Sequence, residues 1–209
     1  MSGKILNNIP VSGENPEFHF GDHFRYRLWV EFISNDFEKW IGCFSKEYSK
    51  GFDKVLIGKN NQTAFVIASG QGYLIDIQNH KLKFKTEEYP LIESAILTNN
   101  PNYFIAGTFQ SVYVFDTEKL INETIPKFMV DGIYFKSQKE NNAIGNLATA
   151  ENQYDFNMGF KFDLETFEIN LDQKVVRKQF GLFEKIKIVD KDYKEKTNIL
   201  KRLISKIIK

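Results

Sequence analysis

The strongest constraint on the fold is a unit that occurs twice between Val55 and Leu120. The two copies are offset by 38 to 40 residues, with small slips where their loops differ in length. The matched pairs are Val55–Gly58 with Ala95–Thr98, Ile67–Ala68 with Ile105–Ala106, Tyr73–Asp76 with Tyr113–Asp116, and Lys81–Leu82 with Lys119–Leu120. Such a period indicates that the chain stacks copies of one supersecondary unit. The repeat predicts an architecture and does not by itself name a function.

A β-hairpin is predicted just before the first full copy of the unit. Phe24–Phe32 begins with alternating aromatic and aliphatic residues, which is typical of a half-buried strand. Ser34–Asp36 carries the side chains of a tight turn, and Lys39–Phe44 is the returning strand. We therefore expect a truncated copy of the unit here, preceded by an irregular lead-in over residues 1–23.

The two full copies and a third, longer copy are expected to form antiparallel meanders, because glycine and asparagine turns separate their apolar runs. The third copy opens at Asp131–Phe135 and closes at Phe160–Ile169. Its polar middle, residues 136–153, is interpreted as an insertion that forms a loop on one face. The strands predicted in the first two copies are 54–58, 63–69, 72–78, 81–86, 94–98, 103–108, 111–116 and 126–130.

The end of the chain has a different character. Short strands are predicted at 174–177 and 185–189, and a basic amphipathic helix is predicted over residues 191–209. The expected domain organisation is therefore a lead-in over 1–23, a β-repeat domain over 24–190, and this helix. The apolar residues that recur at helical spacing are Ile199, Leu200, Leu203, Ile204, Ile207 and Ile208.

The repeats resemble the blades of β-propellers of the WD type and the quinoprotein type. The resemblance covers about residues 24–170 and rests on the repeat period and on an aromatic strand that ends in Asp, Tyr73–Asp76 and Tyr113–Asp116. The glycine-histidine and tryptophan-aspartate signatures of WD repeats are absent. The resemblance implies about four antiparallel repeats of about 40 residues, arranged as a propeller or a curved sandwich. With the helix predicted over residues 191–209, the expected fold class is all-β with a C-terminal α-helix. It also implies a rigid binding platform more often than a catalyst.

Composition excludes several classes of function. A net charge of +1 gives no overall attraction to nucleic acid or to an anionic membrane, so neither is expected as a partner. The single cysteine, Cys43, lies in an apolar run and is expected to be a buried hydrophobe. Because the sequence contains neither a signal-peptide core nor an apolar segment of membrane-spanning length, we expect a cytoplasmic protein.

Residues that could perform chemistry are few. His19 and His23 are spaced for a shared metal on a helix, but the strand that follows them disfavours that geometry, so no metal is expected. Asp76, Asp116 and Asp163 occupy equivalent repeat positions before turns, where local hydrogen bonding is favoured over acid–base chemistry. The sequence has no glycine-rich phosphate loop and no serine of the nucleophile-elbow type. We therefore predict no catalytic residue and no cofactor.

The prediction is a non-enzymatic module that binds another protein, for example a toxin that it neutralises as an immunity protein would. The expected partner-binding residues lie in the polar segment of the third copy and are Lys136, Lys139, Glu140, Asn141 and Asn142. One alternative is a small-ligand-binding or enzymatic domain whose central pocket is lined by Tyr73, Tyr113, Asp76, Asp116 and Asp163. Another is a peripheral membrane protein that attaches through its C-terminal helix.

Overall fold

The computed structural model describes residues 2–22, 26–99, 101–127, 129–149 and 158–171. Every helix or strand assigned within these ranges is a β-strand. The chain divides into two compact units, residues 1–170 and 171–209, and Leu171 is the only described residue of the second unit. Several predictions for the end of the chain lie outside the described residues. They are the strands at 174–177 and 185–189, the domain boundary at residue 190 and the helix over 191–209.

The first sheet contains the predicted hairpin and two further strands. Its members are β1 (Ser2–Ile5), β2 (Glu17–Phe20), β3 (Tyr26–Ile33) and β4 (Lys39–Lys46), in the spatial order β1-β3-β4-β2. β1 pairs with β3 in antiparallel fashion, and β2 pairs with β4 in parallel. The predictions of an irregular lead-in and of a truncated copy are therefore wrong. The sequences of β1 and β2 contain neither an apolar run nor a copy of the repeat, and pairing with longer neighbours stabilises these strands.

The other three sheets each contain four consecutive strands paired in chain order. The second sheet contains β5 (Lys54–Ile57), β6 (Thr63–Ala68), β7 (Gln71–Asp76) and β8 (Lys81–Lys85). The third contains β9 (Ile92–Leu97), β10 (Phe104–Thr108), β11 (Val112–Phe115) and β12 (Leu120–Thr124). The fourth contains β13 (Gly132–Lys139), β14 (Asn142–Ala148), β15 (Met158–Asp163) and β16 (Ile169–Leu171). The repeat prediction is confirmed for all four strands of the second sheet and for β9 to β11.

Two predictions inside the repeats are wrong. The last strand of the second copy is β12, directly after the Asp116 turn, and no strand is assigned among the described residues of 126–130. Residues 136–148 are not a loop insertion, because they continue β13 and form β14. The polar run Lys136–Asn142 covers the exposed end of β13 and the tip of the hairpin, so an exposed hairpin has the composition of a loop.

Successive sheets pack face to face through apolar cores. The indole of Trp40 lies between the first two sheets, where it stacks on Phe32 at 4.4 Å and donates a hydrogen bond to the carbonyl of Ile77 at 3.1 Å. Phe65 of the second sheet packs on Phe115 of the third, with ring centroids 4.7 Å apart. Aromatic contacts of this geometry stabilise the sheets beyond the area that they bury.

The third and fourth sheets approach each other even more closely. Ser94 Oγ on β9 donates to the carbonyl of Ile133 at 2.7 Å and accepts from the amide of Phe135 at 3.0 Å. A Cβ at Gly107 would lie 2.1 Å from the Ile133 carbonyl oxygen, so only glycine fits there. Contacts also join β1 to β5, β5 to β9 and β9 to β13. Each of these strands is the first of its sheet in the chain and lies at one edge of that sheet. The described residues thus form an all-β, propeller-like succession of four sheets.

Candidate functional site

The turns after Asp76, Asp116 and Asp163 lie at one end of the strands, which we call the aspartate edge. Each carboxylate accepts hydrogen bonds from backbone amides two or three residues ahead, at 2.6–2.9 Å. Ser34 Oγ closes the β3–β4 turn in a similar way, since it accepts from the amide of Glu38 at 3.2 Å. The three aspartates therefore act as turn caps, as their sequence context predicts.

The pKa values of two of these aspartates agree with a capping role. Burial tends to raise the pKa of Asp76, but hydrogen bonds from the side chain and backbone of Asn79 outweigh it and hold the pKa below its ordinary value. The amides of Thr166 and Glu165 lower the pKa of Asp163 in the same way. Both carboxyls are therefore ionised at neutral pH and engaged with their own turns, an arrangement unsuited to proton transfer.

Hydrogen bonds along the aspartate edge also join one sheet to the next. They connect the first sheet to the second, the second to the third, and the third to the fourth. The links are Gln78 Nε2 to Asp36 Oδ2 (2.8 Å), Lys59 Nζ to the carbonyl of Asn99 (2.7 Å), Lys83 Nζ to Glu118 Oε1 (2.6 Å) and the amide of Asn99 to Gln138 Oε1. The turns of this edge are thus held in fixed positions relative to one another.

The predicted partner-binding residues gather at the β13–β14 hairpin, on the same edge. Lys136, Lys139, Glu140 and Asn141 are exposed, and Asn142 is half-buried. Asn141 Nδ2 donates to Glu165 Oε1 at 2.6 Å, which attaches the hairpin tip to the turn after Asp163. The structure therefore brings these five residues together on an ordered hairpin, and not on the loop that the sequence indicated.

The β3–β4 turn exposes an aromatic side chain that the sequence analysis did not single out. The Phe37 side chain is 87% exposed, and its backbone has a φ of 62°. Glycine or asparagine is the usual residue in that left-handed region. A phenylalanine directly after the turn residues Asn35 and Asp36 is the signal that could have found it.

Tyr73 and Tyr113 lie near the opposite end of the strands, which we call the cleft edge. The Tyr73 hydroxyl is buried, 2.8 Å from Gln71 Oε1 and 3.0 Å from the carbonyl of Ser45. Burial, together with the negative charges of nearby carboxylates, raises the pKa of Tyr73 far above its ordinary value. Burial also raises the pKa of Tyr113. The phenols pack in the interior while Asp76, Asp116 and Asp163 cap turns at the other edge, so the structure does not bring the five pocket residues together.

A cleft of about 440 Å³ opens at the cleft edge. Lys85 in its wall forms an ion pair with Asp22 at 3.1 Å. The lining contains none of the residues that the sequence predicts for a pocket, because it comes from the start of β7, the end of β8 and the connection that follows β8. The lining residues are Gln71, Lys85, Thr86, Glu87, Glu88 and Tyr89.

The remaining residues considered for chemistry are the histidines His19 and His23 and the single cysteine, Cys43. His19 lies edge-on to Trp29 at 6.2 Å, and His23 lies outside the described residues. Cys43 is buried, and burial raises the pKa of its thiol. Within the described ranges, no group of three or more His, Cys, Asp or Glu side chains is arranged to hold a metal ion. In the same part of the chain, no helix has the length and apolar character needed to cross a membrane.

Comparisons with known proteins assign no family to this chain. No protein-family model matches the chain, and no curated protein matches its sequence. Among solved structures, the chain is similar to a protein described as dihydro-heme d1 dehydrogenase NirN in complex with DHE, with a TM-score of 0.45 and 11% sequence identity. The match covers 69% of this chain and 32% of that chain, so it spans about a third of that protein. A likeness of this strength establishes neither a shared fold nor a shared function.

Proposed function

We propose that this chain is a non-enzymatic protein-binding module that recognises its partner through the aspartate edge. The observation that carries the proposal is the set of hydrogen bonds that link the turns of successive sheets along this edge. A surface that is ordered before binding loses little conformational entropy when a partner docks, which favours affinity and specificity. Immunity to a toxin is one function that such a module would serve.

The chemistry of the aspartate edge suits a protein partner. The β13–β14 hairpin presents the ammonium groups of Lys136 and Lys139 beside the carboxylate of Glu140 and the amide of Asn141. Amide and charged groups of this kind recognise a partner through complementary hydrogen bonds and charges at the rim of an interface. The three aspartates that recur in the repeats, Asp76, Asp116 and Asp163, close turns, which supports binding over catalysis at this edge.

Charge reversal on the hairpin tests the proposal. The variant Lys136→Glu/Lys139→Glu should bind the partner at least about tenfold more weakly, because the hairpin then no longer complements the partner groups that its two ammonium groups contact. The matched control is Lys50→Glu/Lys127→Glu, which changes the net charge equally at two exposed lysines outside the hairpin. The protein retained by the wild-type chain from a native lysate would be identified by mass spectrometry, purified and titrated against each variant by calorimetry.

Two results would contradict the proposal. One is that the wild-type chain retains no protein in stoichiometric amount, while a metabolite library raises its melting temperature. In that case a small-ligand function at the cleft lined by Thr86 and Tyr89 would replace protein binding. The other is that the control pair weakens binding as much as the hairpin pair, which would locate the interface elsewhere or show only a response to net charge.

A further inference from the structure

We infer that Phe37 is the anchor of the partner-binding surface, and that its phenyl ring enters an apolar pocket with a basic rim on the partner protein. This inference rests on the proposed function and deepens it by naming the chemistry of the partner. It comes from the comparison of three turns at the aspartate edge that share one unusual backbone feature.

Each of these three turns places an aromatic residue in the left-handed backbone region. The φ angles are 62° at Phe37, 55° at His80 and 56° at Phe167. In this region the Cβ atom of an L-residue crowds the backbone, and glycine or asparagine is the less strained choice. An aromatic residue there needs a compensating interaction.

Two of the three aromatic rings find that compensation within the protein. The ring of His80 stacks on Phe18, with centroids 4.3 Å apart. The ring of Phe167 stacks on Phe162 at 6.2 Å and lies 6.0 Å from Tyr103. By contrast, the Phe37 side chain is 87% exposed, so burial within the described fold does not offset its strain.

The β3–β4 turn does not need a phenyl ring to close. The amide of Phe37 donates to the carbonyl of Ser34 at 3.2 Å, and the amide of Ser34 donates to the carbonyl of Glu38 at 2.9 Å. A turn with the same first hydrogen bond joins β5 to β6, and its left-handed residue is Asn61 with a φ of 54°. The fold therefore accepts asparagine at such a position, and the phenyl ring of Phe37 is not required for folding.

A strained residue that folding does not require points to binding. An aromatic ring held on a fixed turn is the typical anchor of a protein interface, because it buries a large area and loses few rotamers. The turn is fixed, since Asp36 accepts a hydrogen bond from Gln78 of the second sheet at 2.8 Å. Phe37 thus meets the geometric requirements of an anchor.

The charges around Phe37 define the rim of the pocket that would receive it. Asp36 and Glu38 are both exposed and flank the ring in the sequence. The neighbouring cation, Lys39, lies 3.8 Å from Glu31, so a carboxylate already faces it. Lysine or arginine side chains around an apolar pocket complement this surface, whereas an anionic membrane does not.

The first part of the test separates binding from folding. Phe37→Asn and Phe37→Gly should raise the melting temperature by roughly 2–4 °C, because they relieve backbone strain without loss of packing. Phe167→Asn, the matched variant at a packed ring, should lower the melting temperature. Calorimetric scans of the purified full chain measure all three, and a lower melting temperature for both Phe37 variants would overturn the inference.

The second part identifies the pocket. p-Benzoylphenylalanine at position 37 is irradiated in a native lysate, and mass spectrometry locates the cross-linked peptide on the captured protein. The expected site is an apolar pocket with lysine or arginine at its rim. Phe37→Asn should then weaken binding of that purified protein about 30-fold or more, whereas Tyr48→Asn, at another exposed aromatic, should not change it.

Several outcomes would overturn the inference. These are a cross-link to a second copy of this chain, Phe37-dependent binding to vesicles of phosphatidylcholine and phosphatidylglycerol, or full binding by Phe37→Asn. If Phe37→Asn binds normally while Lys136→Glu/Lys139→Glu does not, the anchor assignment fails and the proposed function stands. If neither variant alters binding of any captured protein, both fail.

Discussion

The two ends of the strands use polar side chains in different ways. At the cleft edge, polar groups such as Lys46 and Tyr73 are buried and bond across the boundary between the first two sheets. At the aspartate edge, Asp76 and Asp163 remain partly accessible and bond to their own turns. Burial makes an unpaired polar group costly, so we expect the cleft edge to tolerate substitution far less than the aspartate edge.

The difference also separates folding from recognition. Connections between sheets run along the cleft edge, and its polar groups stabilise the packing of one sheet on the next. The turns of the aspartate edge are closed locally, and the hydrogen bonds that link them from sheet to sheet are exposed, so substitutions there should leave the fold intact. A binding surface is best placed on such turns, because a rigid scaffold positions them while their side chains remain available.

The largest effect is expected from Asp53→Ala at the cleft edge. Asp53 Oδ2 lies 2.6 Å from Lys46 Nζ, and its Oδ1 accepts from the amide of Ser69 at 2.7 Å. Removal of the carboxylate leaves the Lys46 ammonium, whose side chain is only 9% exposed, without its partner. We expect a loss of about 3 kcal/mol in the free energy of unfolding, the low end for a broken buried pair because Asp53 is 26% exposed.

Urea denaturation measures this loss, and Asp36→Ala is the matched substitution at the aspartate edge. Asp36 bonds to an amide of the neighbouring sheet but is exposed, so its removal should cost less than about 1 kcal/mol. Equal losses in the free energy of unfolding for the two variants would contradict the expectation that the cleft edge tolerates substitution less than the aspartate edge.

A smaller effect is expected from Tyr73→Phe. The substitution keeps the ring but leaves Gln71 Oε1 and the carbonyl of Ser45 without the hydroxyl that lies within hydrogen-bond distance of both. Buried acceptors left unpaired should lower the free energy of unfolding by about 1–2 kcal/mol. Tyr48→Phe, at a half-exposed tyrosine, should change the same urea midpoint little. A neutral result for Tyr73→Phe would mean that water reaches this site and that the cleft edge is less dry than its burial indicates.

The sequence predicts the repeats because their apolar strands recur at a nearly constant offset. β6, β7, β10 and β11 have apolar runs bounded by turn residues, and the aspartates after β7 and β11 have the local hydrogen bonds that their positions require. Turn chemistry is local, so a single sequence contains the information needed to predict it.

The remaining features depend on contacts that are distant in the sequence. β1 and β2 exist because β3 and β4 pair with them, and neither strand has an apolar run or a copy of the repeat that would reveal that pairing. The polar residues at the end of β13 suggested a loop because their pairing with β14 is not visible in their own sequence. The cleft likewise joins Gln71 to residues 85–89 and has no local signal. Phe37 is unusual because its φ angle is positive and its side chain is exposed, and neither property is visible in the sequence.

The smallest expected effect is a dependence on pH at the aspartate edge. The folded-state pKa values of Asp76 and Asp163 lie below their ordinary values, so the stability that they contribute is present above the unfolded pKa of about 3.9. It is lost as the pH falls through the lower, folded pKa. Wild-type protein should therefore lose more stability between about pH 6 and pH 3 than Asp76→Asn/Asp163→Asn does. Asp131→Asn, at an exposed aspartate, should follow the wild type.

Urea midpoints at the two pH values provide the measurement. Asp163 is exposed enough for solvent to screen its interactions, so the difference should be small and should come mainly from Asp76. Parallel curves for wild type and the double variant would mean that the backbone alone closes these turns. The recurrence of aspartate at the same position in three sheets would then lack a structural cause, and the three carboxylates would become candidates for direct contact with the partner.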